Sequence, residues 1–197
     1  MTDHPFGHSA GMWAFLGTPK VADVDWLVIS THLLVTNGTD KVYALAHGDS
    51  GDSPALARNV TVKRAADGNS DTGGTIKVTG TSVHGDVITE DILVGADGVV
   101  VAGIKAFATV TLVEGVDWVI DGNNDTVEVG FGGLIGLPTD VAATLRDGGH
   151  TPDGLVGGVL TVPTIVTDAD EPEKNTVDLS GGTFNGSKEA YLLVVTF

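Results

Sequence analysis

Residues 58–138 alternate short runs of β-branched residues with turn-forming dipeptides, and this pattern constrains the fold more than any other feature of the chain. Valine, isoleucine and threonine favour strands, whereas Asp-Gly and Gly-Gly pairs favour the tight turns between strands. The pattern predicts strands at residues 58–64, 74–80, 87–93 and 101–110. Because a turn signal follows each run, the sequence predicts an antiparallel sheet made of successive hairpins.

The remainder of the chain predicts more strands around this block. Residues 21–36 fit either a strand or an apolar helical stripe. Asn37-Gly38 predicts a hairpin turn into a strand at residues 41–45. Further strands are expected at residues 159–166, 176–179 and 190–197. The predicted fold is all-β, an antiparallel β-sandwich with the jelly roll as one candidate topology.

The length of 197 residues fits one domain with a small extension. Residues 1–20 mix prolines and glycines with aromatic side chains, which predicts an extended N-terminal arm. A wholly disordered tail seldom carries so many aromatics, so we expect the arm to dock on its own domain or on a neighbouring subunit. Residues 21–197 form the predicted β-sandwich domain, with a candidate sub-boundary at residues 139–158, where the pattern is less regular.

The charge balance argues against nucleic-acid and membrane partners. The chain has 26 acidic and 10 basic residues, a net charge of −16, which repels phosphate backbones and anionic lipids. It has no cysteine, which rules out disulfides and thiolate metal sites and fits assembly in a reducing cytoplasm. Residues 1–17 do not resemble a secretory signal, and no run of 18 apolar residues predicts a membrane-spanning helix.

No pattern of catalytic or metal-binding residues appears. The segments 67–72 and 121–126 share the sequence D-G-N-x-D-T, in which D-x-N-x-D has the spacing of a cation loop. Neither segment continues with the glycine and the closing glutamate of an EF-hand, so both are interpreted as turns. A duplication and convergent turn chemistry explain the repeat equally well. The sequence predicts no metal, no cofactor and no enzymatic activity.

The candidate interface residues are apolar anchors near the two ends of the chain. Phe6, Trp13 and Phe15 lie in the predicted arm, and Tyr191 and Phe197 lie in the last predicted strand. That strand is apolar on both faces, which is typical of a strand inside a sheet. It is expected to be tied into its own sheet or to pair with the edge of another subunit.

Glu90 is a further candidate because it shares one face of its predicted strand with Ile88 and Ile92. One interpretation is an edge strand whose inward charge prevents pairing with other chains. The other is a carboxylate that pairs with a basic group across an interface.

Several phrases of the chain resemble a family of small structural proteins encoded in tailed bacteriophages and prophages. The phrases lie within residues 21–145, at 22–25, 57–62, 79–81, 85–90, 102–110 and 136–138. The resemblance implies a virion component of the head decoration, or cement, type that carries no catalytic residues. The implied partners are the major capsid protein and the chain itself, as a dimer or trimer on the capsid exterior.

Two other functions are compatible with the sequence. A tail or neck protein of the same virion would need similar strands and subunit edges. A bacterial surface or carbohydrate-binding β-module is a third interpretation, which the absence of a secretory signal and of disulfides disfavours.

Overall fold

The computed structural model describes residues 10–33, 40–49, 56–67, 71, 74–119, 125–138, 150–156, 159–179 and 184–196. This part of the chain is nearly all β, as predicted, and its helical structure is one 3₁₀ turn, Pro172–Lys174. In these ranges no helix has the length and apolarity to cross a membrane. The strands are β1 (Ala10–Gly17), β2 (Asp23–His32), β3 (Lys41–Val42), β4 (Arg58–Ala65), β5 (Thr75–Thr81), β6 (Val87–Leu93), β7 (Val100–Phe107), β8 (Thr109–Val116), β9 (Thr126–Gly136), β10 (His150–Val156), β11 (Val159–Thr161), β12 (Thr164–Val166), β13 (Thr176–Asp178) and β14 (Ala190–Thr196).

The strands form three antiparallel sheets. The central sheet has the order β12-β13-β9-β4-β7, and β2 also pairs with β9. The facing sheet has the order β3-β8-β5-β6, and the terminal sheet has the order β1-β14-β10-β11. The described part of the ambiguous segment, residues 21–33, therefore contains a strand, β2, and not a helix.

Two hydrophobic cores hold these sheets together. The first core lies between the central and facing sheets, which pack as a sandwich; it includes Val62 and Val129 of the central sheet and Ile76 and Val113 of the facing sheet. The second core lies under the terminal sheet and includes Leu192. Strand β9 contributes to both cores, with Val129 in the first and Ile135 in the second. The two cores are therefore joined by a shared central strand.

The predicted strands at residues 58–64, 74–80 and 87–93 correspond to β4, β5 and β6, but the prediction of successive hairpins is wrong. Only β5 and β6 form a hairpin among the strands from β4 to β9; their turn places Gly85 at φ 85°. From β6 onward the chain crosses between sheets, to β7 in the central sheet, β8 in the facing sheet and β9 in the central sheet. Turn residues allow the chain to change direction, but they do not determine which sheet receives the next strand.

The predicted strand at residues 101–110 is in fact two strands that meet at a corner. The chain leaves the central sheet at Phe107 and enters the facing sheet at Thr109. The amide of Ala108 donates to the carbonyl oxygen of Thr81 (2.8 Å) and fixes the corner. Gly80 makes room for it, because a Cβ at Gly80 would overlap the carbonyl oxygen of Thr109. A bend of this kind is how a strand changes sheets in a sandwich.

Two other predicted strands are also shorter or divided. The strand expected at residues 41–45 is limited to β3. The strand expected at residues 159–166 is split into β11 and β12, which belong to different sheets. Pro163 lies between them and has no amide hydrogen to donate to a ladder.

The described part of the predicted arm belongs to the folded domain. Residues 10–17 form β1, which pairs with β14 from Ala10↔Thr196 to Gly17↔Ala190. Ala14 and Leu16 are buried in the second core. Over residues 10–17 the predicted arm is therefore a strand that docks on its own domain, one of the two alternatives expected for it, and buried and exposed residues alternate from Trp13 to Leu16 as in a half-buried strand.

The second aspartates of the two D-G-N-x-D-T segments, Asp71 and Asp125, bind each other. The amide of Asp71 donates to the Asp125 carboxylate, and the amide of Asp125 donates to the Asp71 carboxylate, each at 3.0 Å. Arg64 forms a buried ion pair with Asp125 (3.1 Å). We call these three residues the Asp clasp. It joins the β4–β5 and β8–β9 crossings, which run in opposite directions between the same two sheets.

Candidate docking face

The terminal sheet presents exposed aromatic rings on its outer face. Along β1, Trp13 is 53% exposed and Phe15 is 49% exposed, while their neighbours Ala14 and Leu16 face the second core. Successive side chains of a strand point to opposite faces, so both rings lie on the same outer side. We call this surface, with Tyr191 and Leu193 of β14, the docking face.

Tyr191 connects the two exposed rings. It lies opposite Phe15 in the strand ladder, with ring centres 5.2 Å apart, and its ring meets Trp13 edge-on at 6.2 Å and an interplanar angle of 88°. Its hydroxyl donates to Glu189 (2.8 Å), a bond that raises the pKa of Tyr191. The intramolecular ring contacts hold the aromatic cluster in place, while about half of Trp13 and of Phe15 stays exposed to solvent.

The terminal sheet is almost free of charged residues in a strongly acidic chain. Strands β1, β11 and β14 contain none, and β10 contains Asp153 alone, together with His150. The whole chain carries 26 acidic residues. Depletion of charge together with enrichment of aromatics is the composition of a protein interface core.

Glu90 lies in β6, at an edge of the facing sheet, and not in the terminal sheet. Its neighbours on the same face, Ile88 and Ile92, are buried in the first core. The Glu90 carboxylate accepts hydrogen bonds from the backbone amides of Ile104 (2.7 Å) and Lys105 (3.3 Å) in β7. It therefore links the facing sheet to the central sheet along their shared open side.

An irregularity in β7 explains why those two amides are available. The β4–β7 ladder passes from Thr61↔Ala102 to Asn59↔Ala106, so β7 has more residues than β4 over this stretch and bulges. Gly103 begins the bulge, and a Cβ there would lie 2.5 Å from Glu90 Oε2. The bulge thus offers both the donors and the space that the Glu90 carboxylate requires.

Asn59 completes the bulge from the other side. Its side chain is buried, donates to the carbonyl oxygen of Gly103 (3.0 Å) and accepts from the amide of Leu134 (3.0 Å). The β4–β9 ladder also shifts at this level, between Arg58↔Ile135 and Val60↔Phe131. One buried amide side chain therefore satisfies backbone groups at irregularities in both neighbouring strands.

Charged residues surround the bulge on its solvent side. Lys105 Nζ lies 2.9 Å from Glu173 and 3.5 Å from Glu171, and Lys174 also pairs with Glu171. Burial raises the pKa of Glu90 more than its two amide donors and Lys105 lower it. Burial opposes ionisation of Glu173 as well, but the hydrogen bond and charge of Lys105 outweigh it and lower the pKa of Glu173.

The structure places the predicted site residues in two separate groups. Trp13, Phe15 and Tyr191 form the docking face, although they come from opposite ends of the chain. Glu90 is the inward charge of an edge strand, and its carboxylate is bound by its own chain. Phe6 and Phe197 lie outside the described residues.

The sequence analysis predicted neither the Asp clasp nor the hydrogen bonds that Glu90 and Asn59 make around the β7 bulge. The carboxylates of Asp71 and Asp125 accept backbone amides, as turn residues do. Over the ranges that the structure describes, no three histidine, aspartate or glutamate side chains are arranged to hold a metal ion. The shared D-G-N-x-D-T sequence was the one signal that could have indicated the clasp.

Comparison with known protein families, curated proteins and solved structures gave no match to this chain. A functional assignment is therefore a proposal, and it starts from the geometry of the docking face.

Proposed function

We propose that the protein is an architectural component of a tailed-phage virion that decorates and stabilises the capsid by binding the shell through its docking face. The observation that carries the proposal is the exposed, almost uncharged aromatic surface formed by Trp13, Phe15 and Tyr191. The resemblance of the sequence to phage structural proteins supports the choice of partner, the major capsid protein.

The energetics of this face suit a contact that is repeated many times. Covering the exposed half of Trp13 and Phe15 would contribute about 1 kcal/mol each, from the usual value for burying a large apolar side chain. A contribution of about 2 kcal/mol changes an equilibrium constant roughly thirtyfold. That is modest for one subunit but sufficient when many linked copies cover a lattice.

The ring geometry favours a protein partner over a carbohydrate. A sugar-binding platform on a sheet needs aromatic rings that lie parallel to the surface and to each other. Here Trp13 and Tyr191 are nearly perpendicular, and Phe15 is tilted by 45° from Tyr191. Such rings form a corrugated apolar surface, which can interlock with side chains of another protein.

The test is co-sedimentation of the purified protein with undecorated shells of the phage or prophage that encodes it. We expect saturable binding by the native chain and at least a tenfold loss for the double variant Trp13→Thr/Phe15→Thr, because threonine preserves strand propensity. Val87→Thr is the matched control, since Val87 is 77% exposed on a different sheet. Equal binding by the double variant and the native chain would refute the role of the docking face, and no binding by the native chain would refute the capsid as partner.

A further inference from the structure

The free edge of β1 is a surface for a second copy of the chain. We propose that two copies associate by antiparallel pairing of β1 with β1 around a two-fold axis, which joins two terminal sheets into one continuous sheet. This inference concerns the purified protein and does not depend on the proposed function.

β1 is a long and unguarded edge. It pairs with β14 on one side, and within the described residues no strand pairs with its other side. Its eight residues include no charged residue and no proline. Free strand edges of this kind pair readily with other chains, and natural proteins protect them with charges, prolines or bulges when pairing is not wanted.

The other edges of the fold carry such protection. β6 contains Glu90 and Asp91, and β7 has a bulge that is filled by the Glu90 carboxylate. β2 begins with Asp23 and Asp25 and pairs irregularly with β9. β3, β11 and β12 are only two or three residues long. The contrast singles out β1 as the edge that is built to pair.

The charge distribution makes β1 the place where two acidic copies of the chain can approach each other. Two copies that each carry a charge of −16 repel each other over most orientations. Contact through β1 brings together the uncharged strands of the two terminal sheets, so the carboxylates of each copy stay away from the interface. Salt screens the remaining repulsion, so the dimer should become tighter as ionic strength rises.

The register follows from the sequence of β1. The β1–β14 ladder is regular from Ala10 to Phe15, and the irregularity falls between Phe15 and Gly17. Two-fold pairing centred on Trp13 uses this regular part and places Phe15 of one copy opposite Gly11 of the other. An aromatic side chain across from a glycine covers the gap that the glycine leaves. The two Trp13 rings would face each other at the axis, where cross-strand aromatic pairs stabilise a sheet.

The test is the solution mass of the full chain by sedimentation equilibrium. The monomer mass is 20.1 kDa, and we expect the native chain to reach twice that mass, at lower protein concentration when salt is raised. Trp13→Lys places two like charges at the axis and should return the mass to that of the monomer. Val87→Lys on the facing sheet is the matched control and should remain dimeric.

A cross-linking experiment checks the register without relying on the lysine variant. Because the chain has no cysteine, a single introduced cysteine has no competing partner. Under mild oxidation Trp13→Cys should form a disulfide-linked dimer, whereas Val162→Cys, at a residue that is 88% exposed, should not. A native chain that stays monomeric at all salt concentrations, or equal cross-linking at both positions, would overturn the proposal.

Discussion

A carboxylate that is partly buried between two isoleucines is stabilised by specific donors. Glu90 finds them in the two backbone amides of the β7 bulge, and Gly103 leaves room for its oxygens. Burial nevertheless raises its pKa, so the neutral form is favoured in the folded state relative to the unfolded state. The ionised Glu90 carboxylate therefore lowers the stability of the folded protein, although its hydrogen bonds join the two sheets.

The sign of the resulting pH dependence can be tested with Glu90→Gln. The stability that the protonated group contributes is full below the ordinary glutamate pKa of 4.5 and is lost as pH rises through the higher folded-state pKa. The Tm of Glu90→Gln, measured relative to the native chain by calorimetry, should therefore increase as pH rises from below 4.5 to neutral.

Glu173→Gln provides a control of opposite sign. Its folded-state pKa is lowered, so Glu173 stabilises the protein above its ordinary pKa of 4.5, and this stability is lost as pH falls through the lower folded-state pKa. The Tm of this variant relative to the native chain should decrease as pH rises. The same trend in both variants would contradict the opposite pKa shifts of Glu90 and Glu173.

The Asp clasp allows a second prediction at the scale of single residues. Asp125→Ala leaves Arg64 without its buried carboxylate and removes an acceptor from the amide of Asp71. Breaking a buried ion pair in this way costs about 3–5 kcal/mol, which urea unfolding would measure.

The surface pair Lys63–Glu128 is the control for the clasp. It connects β4 to β9 next to the clasp, and its two side chains, 2.9 Å apart, are partly exposed. Glu128→Ala should cost about 0–1 kcal/mol. Equal losses in Glu128→Ala and Asp125→Ala would mean that the clasp is no stronger than an exposed ion pair.

At the scale of residues, the sequence predicted neighbours on one strand but not partners on others. The alternation around Glu90 correctly placed it between Ile88 and Ile92. Its two amide donors lie in a bulge whose position depends on how β7 aligns with β4, and no local pattern encodes that alignment. The carboxylate partner of Arg64, Asp125, lies 61 residues further along the chain, so neither segment alone could have predicted the clasp.

The corner between β7 and β8 shows how one glycine can determine the course of two elements. Gly80→Ala would place a methyl group against the carbonyl oxygen of Thr109, which belongs to the backbone and cannot move away cheaply. We expect a clear loss of stability, on the order of 1–3 kcal/mol, which is typical of overpacking. Thermal unfolding of the purified variant measures it.

Gly133→Ala is the control for this strand substitution. Nothing lies within 4 Å of a Cβ at Gly133, so alanine there should be neutral or slightly stabilising, because it restricts the unfolded chain. If Gly80→Ala were as stable as Gly133→Ala, the corner would not depend on close contact at Gly80.

At the scale of elements, strand positions were more predictable than strand partners. Runs of β-branched and apolar residues between turn signals are local features, and they identified β4, β5, β6, β13 and β14. Pairing depends on which sheet receives the chain after each turn. The turn residues after β4 predicted a hairpin, but the connection to β5 is long enough to cross the sandwich, so that hairpin does not form.

For the whole molecule, a strand shared by two cores predicts cooperative unfolding. Leu192→Ala in the second core and Ile76→Ala in the first each remove a fully buried side chain, at a cost of about 2–5 kcal/mol. Because β9 belongs to both cores, each variant should lower one common transition, and far-UV and near-UV circular dichroism should give the same midpoint. Two separate transitions in either variant would show that the cores unfold independently.

The position of β9 also has a consequence for how the chain reaches its native state. β9 lies between β4 on one side and β2 and β13 on the other, yet it is made after β2 and β4. Until residue 136 has been synthesised, β2 and β4 lack the strand that pairs with both of them. Completing the central sheet requires contacts between distant parts of the chain, which form slowly. Nascent or truncated chains that end before Thr126 should therefore be the species that chaperones bind and that aggregate. Once β9 has been synthesised, the central sheet can form and the protein can fold.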